Sequence, residues 1–273
     1  MDTFYLKNVE YELEDGRVKM LFSIHQELYK FLHKKITWIS LVVLFALMLM
    51  TAATLGYAEG KLVTMVSYDA PDWIMFVLVI VGATLFTMEF QSNSILTLIY
   101  KAASKAHVYF SKIIILFGFN VFLHLLAIIF TIIIRWFTPG GVASWSSIYR
   151  YNQPLWENMI KASLIDVISS TLIISIIILL SCLFKNNSVV VLTTFLVIFL
   201  GRFITGTFSR REILTDVIKW NPFNMINLTN QYYNYGTYHE MSYLDNGQLL
   251  IGTVFYTCVF FTMGYLVFRK RHF

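Results

Sequence analysis

Charged residues are scarce in this chain. They make up 14% of its 273 residues, whereas soluble domains carry about 25%, and apolar residues make up 57%. The mean hydropathy is +0.64. The two cysteines, Cys182 and Cys258, lie inside apolar runs and are too few for a disulfide framework. This composition excludes an ordinary soluble domain and a disulfide-stabilised one.

Motifs for catalysis, nucleotide binding and metal binding are also missing. The string from Gly201 to Gly206 lacks the lysine of a phosphate-binding loop and lies in an apolar run. The six histidines are scattered, and no ligand spacing typical of a metal site occurs. No cleavable signal peptide is expected, because the first apolar run follows a charged tail of about 35 residues. We therefore predict no catalytic residue, no metal site and no cofactor in this chain.

Long apolar runs are what the sequence has instead. A membrane-spanning helix needs about 20 mostly apolar residues, and backbone amides in lipid must be bonded within the chain. We predict an all-α polytopic membrane protein with a tail at 1–35 and a membrane domain at 36–273. Its six predicted spans are 36–57, 73–90, 113–137, 162–184, 189–208 and 249–268.

The distribution of Lys and Arg predicts that both termini are cytoplasmic. Lys30, Lys34 and Lys35 precede the first span, and Arg269–Arg271 follow the last. Such residues collect on the cytoplasmic side of a membrane. The net charge of +5 is explained in the same way, so it does not indicate nucleic-acid binding.

The residues before the first span predict an interfacial helix. Leu21, Ile24, Leu28, Phe31 and Leu32 recur at helical spacing, with lysines between them. Such a helix would lie at the inner membrane surface with its apolar side in the lipid and its lysines near anionic headgroups. The alternative is a simple extension of the first span.

Two connecting segments are too apolar for plain linkers. The inner segment at 91–112 has a helix-start signal at Ser92–Ser94, followed by Ile95–Ile99, and predicts a short helix on the cytoplasmic face. Its apolar ridge would need a partner protein. The outer segment at 209–248 predicts a pair of short helices in the outer leaflet, with a solvated loop as the alternative.

Three ionisable residues lie within or beside spans, where a charge costs on the order of 3 kcal/mol or more. They are Glu89, Asp166 and Arg202. Asp166 and Arg202 come to similar depths from the outer side. We expect them to form an ion pair or to face one polar cavity.

Three stretches in this order resemble the permease subunits of type-2 ATP-binding-cassette (ABC) exporters. The first is Gln26–Lys35, which is similar to the connecting helix of that family. The second is Glu89 followed by Ile95–Ile99 and Lys112, which resembles a short coupling helix and a lysine that opens the third span. The third is Tyr256–Arg271, which looks like the last span with its basic stop.

The resemblance implies that separate cytoplasmic ATPase subunits dock on the inner face. ATP and Mg²⁺ would bind there and not in this chain, and a second permease subunit, identical or homologous, would complete the membrane part. The implied contacts in the coupling helix are Ile95, Leu96, Thr97, Leu98, Ile99, Tyr100, Lys101, Ser104 and Lys105. Those in the connecting helix are Glu27, Leu28, Lys30, Phe31 and Lys34.

The resemblance further implies export of an amphipathic cargo, with peptides, toxins and antibiotics as the leading classes. The expected location is a bacterial plasma membrane. An ion-coupled secondary transporter is the main alternative, although no internal repeat supports it. A membrane sensor or assembly subunit that transports nothing is a further alternative, and an intramembrane enzyme is disfavoured because paired catalytic groups are lacking.

Overall fold

The computed structural model describes residues 20–55, 60–91, 104–137, 143–208 and 219–271, without the side chains at 90–91, 202 and 204–208. Helices form almost all of this part of the chain. Its only extended pairing is an isolated antiparallel bridge between Ile148 and Pro154. The prediction of an all-α fold is confirmed.

Eleven α-helices follow one another in the described residues. They are α1 at 20–32, α2 at Lys35–Leu55, α3 at Gly60–Met65, α4 at Ala70–Gln91, α5 at Lys105–Phe137, α6 at Leu155–Leu183, α7 at Asn187–Phe208, α8 at Pro222–Met225, α9 at Leu228–Tyr233, α10 at Tyr235–Ser242 and α11 at Asn246–Lys270.

Five of these helices, α2, α4, α5, α6 and α11, are long and apolar enough to cross a membrane. Each contains one predicted span or nearly all of it. Helix α7 has 22 residues and covers the predicted span at 189–208, although its described apolar part is shorter. The protein is therefore a polytopic membrane protein, and α7 as a sixth span stays a prediction.

Helices α4 and α6 form the centre of the bundle. In α4, 67% of the most apolar stretch is buried, against 17% in α11. Helix α6 packs against α4, α5, α7 and α11. Because α11 is apolar yet mostly exposed, its outer side faces the hydrocarbon of the bilayer.

The outer segment contains three short helices in its described part, one more than the sequence predicted. Asn221 caps the first helix, since its Oδ1 accepts hydrogen bonds from the amides of Phe223 and Asn224 at 2.8 and 3.0 Å. Phe223 lies against Gly201 of α7, and Met225 lies against Gly252 of α11, so closely that a β-carbon at either glycine would overlap them. Helix α8 is thus seated on two long helices at once.

The inner ends of three long helices are tied together by basic side chains. Lys105 Nζ donates hydrogen bonds to the carbonyl oxygens of Arg269 and Arg271 at 3.1 and 2.8 Å. Arg271 Nη1 donates to the carbonyl oxygen of Cys182 at 2.8 Å. These cations satisfy carbonyls that have no partner within their helices.

Close packing of α11 on α5 depends on Gly264. A β-carbon at this position would lie 2.6 Å from Tyr109 Oη and 3.5 Å from the Leu179 Cα. The Tyr109 hydroxyl donates a hydrogen bond to the carbonyl oxygen of Phe261 at 2.7 Å. Any side chain at Gly264 would therefore push α11 away or break this bond.

We expect Gly264→Ala to lower the free energy of unfolding by about 1–3 kcal/mol, because it overpacks a filled contact. Gly118→Ala is the matched control, since a β-carbon there meets no atom within 4 Å and alanine favours the helix. Denaturant titration of both variants in detergent measures the difference. Equal stability of the two variants would contradict a tight contact between Gly264 and Tyr109 of α5.

Candidate functional site

Helix α1 turns a partly polar face toward the spans. Ser23, Glu27 and Phe31 are buried, whereas Leu21 and Leu32 are exposed. These buried residues lie one turn apart on one side of the helix. A helix is present where the sequence predicted one, and its side that contacts the protein carries a carboxylate. Its location at the membrane surface stays a prediction.

That carboxylate meets a fully buried lysine of α5. Lys112 Nζ lies 2.7 Å from Glu27 Oε2 and 2.5 Å from Glu89 Oε2, and it donates to the carbonyl oxygen of Leu85 at 3.3 Å. The Lys112 side chain is 0% exposed. One ammonium group therefore joins α1, the end of α4 and the start of α5.

A second lysine completes the cluster. Lys30 Nζ lies 2.9 Å from Glu27 Oε1 and 3.2 Å from Glu89 Oε1. Two carboxylates and two ammonium groups give no net charge, which limits the cost of burying them beside lipid. We call Glu27, Lys30, Glu89 and Lys112 the inner charge cluster.

The cluster changes the protonation of groups on α1 and next to it. Burial alone raises the pKa of Glu27, but the ammonium groups of Lys112 and Lys30 outweigh it and hold the pKa below its ordinary value of 4.5. Burial lowers the pKa of Lys34, and the positive charge of Lys112 lowers it further. Glu27 is thus held as a carboxylate.

The predicted contacts of the connecting helix fall into three groups. Glu27 and Lys30 belong to the inner charge cluster. Phe31 packs edge-on against Phe119 of α5, with 5.0 Å between the ring centroids, and Leu28 and Lys34 lie nearer the surface. Residues from Ile95 to Lys101 lie outside the described part of the chain. Ser104 directly precedes α5, and Lys105 is its first residue, so Lys105 starts the third long helix.

The cluster lies on both sides of the segment at 92–103. Glu89 lies three residues before this segment, and Lys112 lies shortly after it. The Glu89–Lys112 contact therefore joins the two helices on either side of the segment, and Glu27 joins α1 to them.

A second polar network joins α5, α6 and α9. His124 Nε2 of α5 lies 2.8 Å from Asp166 Oδ2 of α6, and the hydroxyl of Thr229 in α9 donates to Asp166 Oδ1 at 2.7 Å. His124 Nδ1 also contacts the carbonyl oxygen of Asn120 at 2.8 Å. Both carboxylate oxygens of Asp166 are thus engaged. The expected partner, Arg202, has a side chain outside the described set, so that pairing stays a prediction.

Sequence reasoning missed how these groups are combined. Glu27, Glu89 and Lys112 were each singled out, but nothing in their spacing shows that they meet. For Asp166 the useful signal was His124, an ionisable residue within a neighbouring span, because such residues usually pair with one another. Among the described residues, no group of three or more His, Cys, Asp or Glu side chains could hold a metal ion.

We expect Lys112→Met to lower the free energy of unfolding by about 3–5 kcal/mol, because it leaves two buried carboxylates with one partly exposed counter-ion. Lys30→Met is the matched control. It should cost at most about 1 kcal/mol, since Lys30 is partly exposed and Lys112 remains. Denaturant titration in detergent gives both values, and a larger loss for Lys30→Met would be inconsistent with Lys112 as the centre.

The lowered pKa of Glu27 predicts a pH dependence. Ionised Glu27 stabilises the fold fully above pH 4.5, and this contribution is lost as the pH falls through the lower pKa of the folded state. Glu27→Gln lacks it. The difference in unfolding midpoint between wild type and Glu27→Gln should therefore be constant near neutral pH and shrink below pH 4.5. A difference that is independent of pH would show that Glu27 acts without its charge.

Comparison with known families agrees with this architecture. The model of a family described as ABC-2 family transporter protein matches residues 23–201, which is more than half of the chain. That match includes α1 from Ser23 onward, the inner charge cluster and the segment between α4 and α5. Comparison with the curated proteins finds no match. The chain belongs to the ABC-2 transporter family and is a multi-pass permease subunit of an ABC transporter.

Proposed function

We propose that this permease exports an amphipathic cargo, with energy from separate cytoplasmic ATPase subunits that dock on the segment from Ile95 to Lys105. Family membership supports a transport role without a nucleotide site in the chain. The single observation that carries the coupling proposal is the contact of Lys112 with both Glu27 and Glu89.

Motion of the ATPase would enter through the docking segment. Both ends of that segment lead into helices that the inner charge cluster joins, so neither end can move alone without separating buried charges. The cost of such a separation in a site of low polarity favours movement of α1, α4 and α5 as one body. ATP and Mg²⁺ would act in the partner chain, and this permease would convert closure of the ATPases into a tilt of its helices.

The assembly that fits this role contains two permease subunits and two ATPase subunits. Membrane-active peptides, toxins or antibiotics are the cargo classes we favour, and the bacterial plasma membrane is the proposed location. The exposed apolar sides of α2, α5 and α11 would give such molecules a route from the lipid to the permease surface. The cytoplasmic position of both termini is part of the same proposal.

Isolation of the intact complex in mild detergent tests this function. We expect mass spectrometry to find an ABC ATPase bound to the permease, and we expect the complex to hydrolyse ATP. Leu96→Asp or Leu98→Asp should lower retention of the ATPase at least tenfold, about 1.4 kcal/mol, because a carboxylate would enter an apolar contact. Lys185→Asp is the control, as it adds the same group to a different inner loop.

Two results would contradict the proposal. Transport by the purified permease alone, driven by an ion gradient, would favour a secondary transporter. Full ATPase retention by Leu96→Asp and Leu98→Asp would show that docking occurs elsewhere on the chain. A complex that binds the ATPase and moves no cargo would favour a sensor or assembly subunit.

A further inference from the structure

An open apolar groove separates α1 from the first and third long helices. Leu28 and Leu32 of α1, Trp38 and Leu41 of α2, and Ile114 and Phe122 of α5 line it, and its volume is about 390 Å³. Leu21 and Phe22 of α1 and Ile39 of α2 are exposed apolar side chains on two of the helices that form the groove. Exposed apolar sides of membrane helices contact lipid, so the open groove between them is accessible to lipid tails.

The surroundings of Gly118 show that protein atoms leave the groove unfilled. This glycine lies on the groove wall, and a β-carbon built there meets no atom within 4 Å. At Gly82, by contrast, a β-carbon would lie 3.2 Å from Ile177. A side chain added at position 118 can therefore occupy the groove without displacing the packed core.

Two lysines lie next to the groove along the chain. Lys34 is in the break between α1 and α2, and Lys35 is the first residue of α2, so both fall between the lining residues Leu32 and Thr37. Neither forms an ion pair with another residue in the described part of the chain, where the carboxylates of Glu27 and Glu89 are engaged by Lys30 and Lys112. An apolar groove beside two lysines that form no ion pair among the described residues has the chemistry of a phospholipid site.

We propose that this groove binds an anionic phospholipid, with an acyl chain between α1 and α5 and the phosphate at Lys34 and Lys35. An acyl chain gains little hydrophobic energy by leaving other lipid tails, so the headgroup decides which lipid is retained. Each lysine near the surface should favour an anionic lipid roughly fivefold. The preference should weaken at high salt.

Native mass spectrometry of the full-length chain tests this site. The protein is purified in mild detergent with equal amounts of phosphatidylglycerol, which is anionic, and phosphatidylcholine, which is zwitterionic. We expect wild type to retain phosphatidylglycerol selectively. Gly118→Leu fills the groove and should lose the bound lipid, whereas Lys34→Gln with Lys35→Gln should reduce the preference for phosphatidylglycerol about 25-fold.

Matched control variants distinguish lipid binding at this groove from non-specific lipid binding elsewhere on the protein. Ile132→Phe enlarges an exposed side chain of α5 away from the groove, and Lys185→Gln removes a lysine from another inner loop. Both should retain lipid as wild type does. Unfolding midpoints of the variants establish that Gly118→Leu is folded, and the lysine variant tests the site without changing its apolar wall.

Three outcomes would overturn the proposal. Phosphatidylglycerol retention by Gly118→Leu at the level of wild type would place the lipid elsewhere. An unchanged preference for phosphatidylglycerol in the double lysine variant would show that Lys34 and Lys35 do not bind the lipid phosphate. A peptide or a second copy of the chain that protects the groove in place of lipid would assign it to another occupant. The lipid-binding measurement does not require an ATPase, so the lipid proposal can be wrong while the proposed transport function remains correct.

Discussion

Burial of the Lys112 ammonium group is the constraint on which the inner half of the structure depends. A charge with no access to water requires counter-ions at contact distance, and Glu27 and Glu89 supply them from two other helices. Helix α1 is thereby fixed against the membrane bundle although its outer side remains apolar and exposed. The same contact holds together the end of α4 and the start of α5.

The long helices could be predicted from sequence because lipid imposes a local rule. Twenty apolar residues in a row must be helical, so α2, α4, α5, α6 and α11 follow from composition along the chain. Their ends were less predictable. Helices α5 and α6 extend beyond the apolar runs at their first turns, since polar residues such as Lys105 and Glu157 are tolerated near the membrane surface.

Contacts between distant residues could not be predicted in the same way. The members of the inner charge cluster are separated by up to 85 positions, and their meeting depends on helix packing that no local pattern encodes. The charge of Asp166 indicated that a partner was required, but depth alone left several partners open. The structure places His124 and Thr229 there, from a neighbouring span and from a short outer helix.

The packing of α8 restricts how α7 and α11 can move relative to each other. Phe223 and Met225 fit against glycines of α7 and α11, and the Thr253 hydroxyl donates to the carbonyl oxygen of Met225 at 3.3 Å. Helix α8 thus joins these two long helices through side chains that are packed tightly against both. Any separation of α7 from α11 at this end of the bundle would have to break these contacts, whereas a movement that carries α7, α8 and α11 together would preserve them.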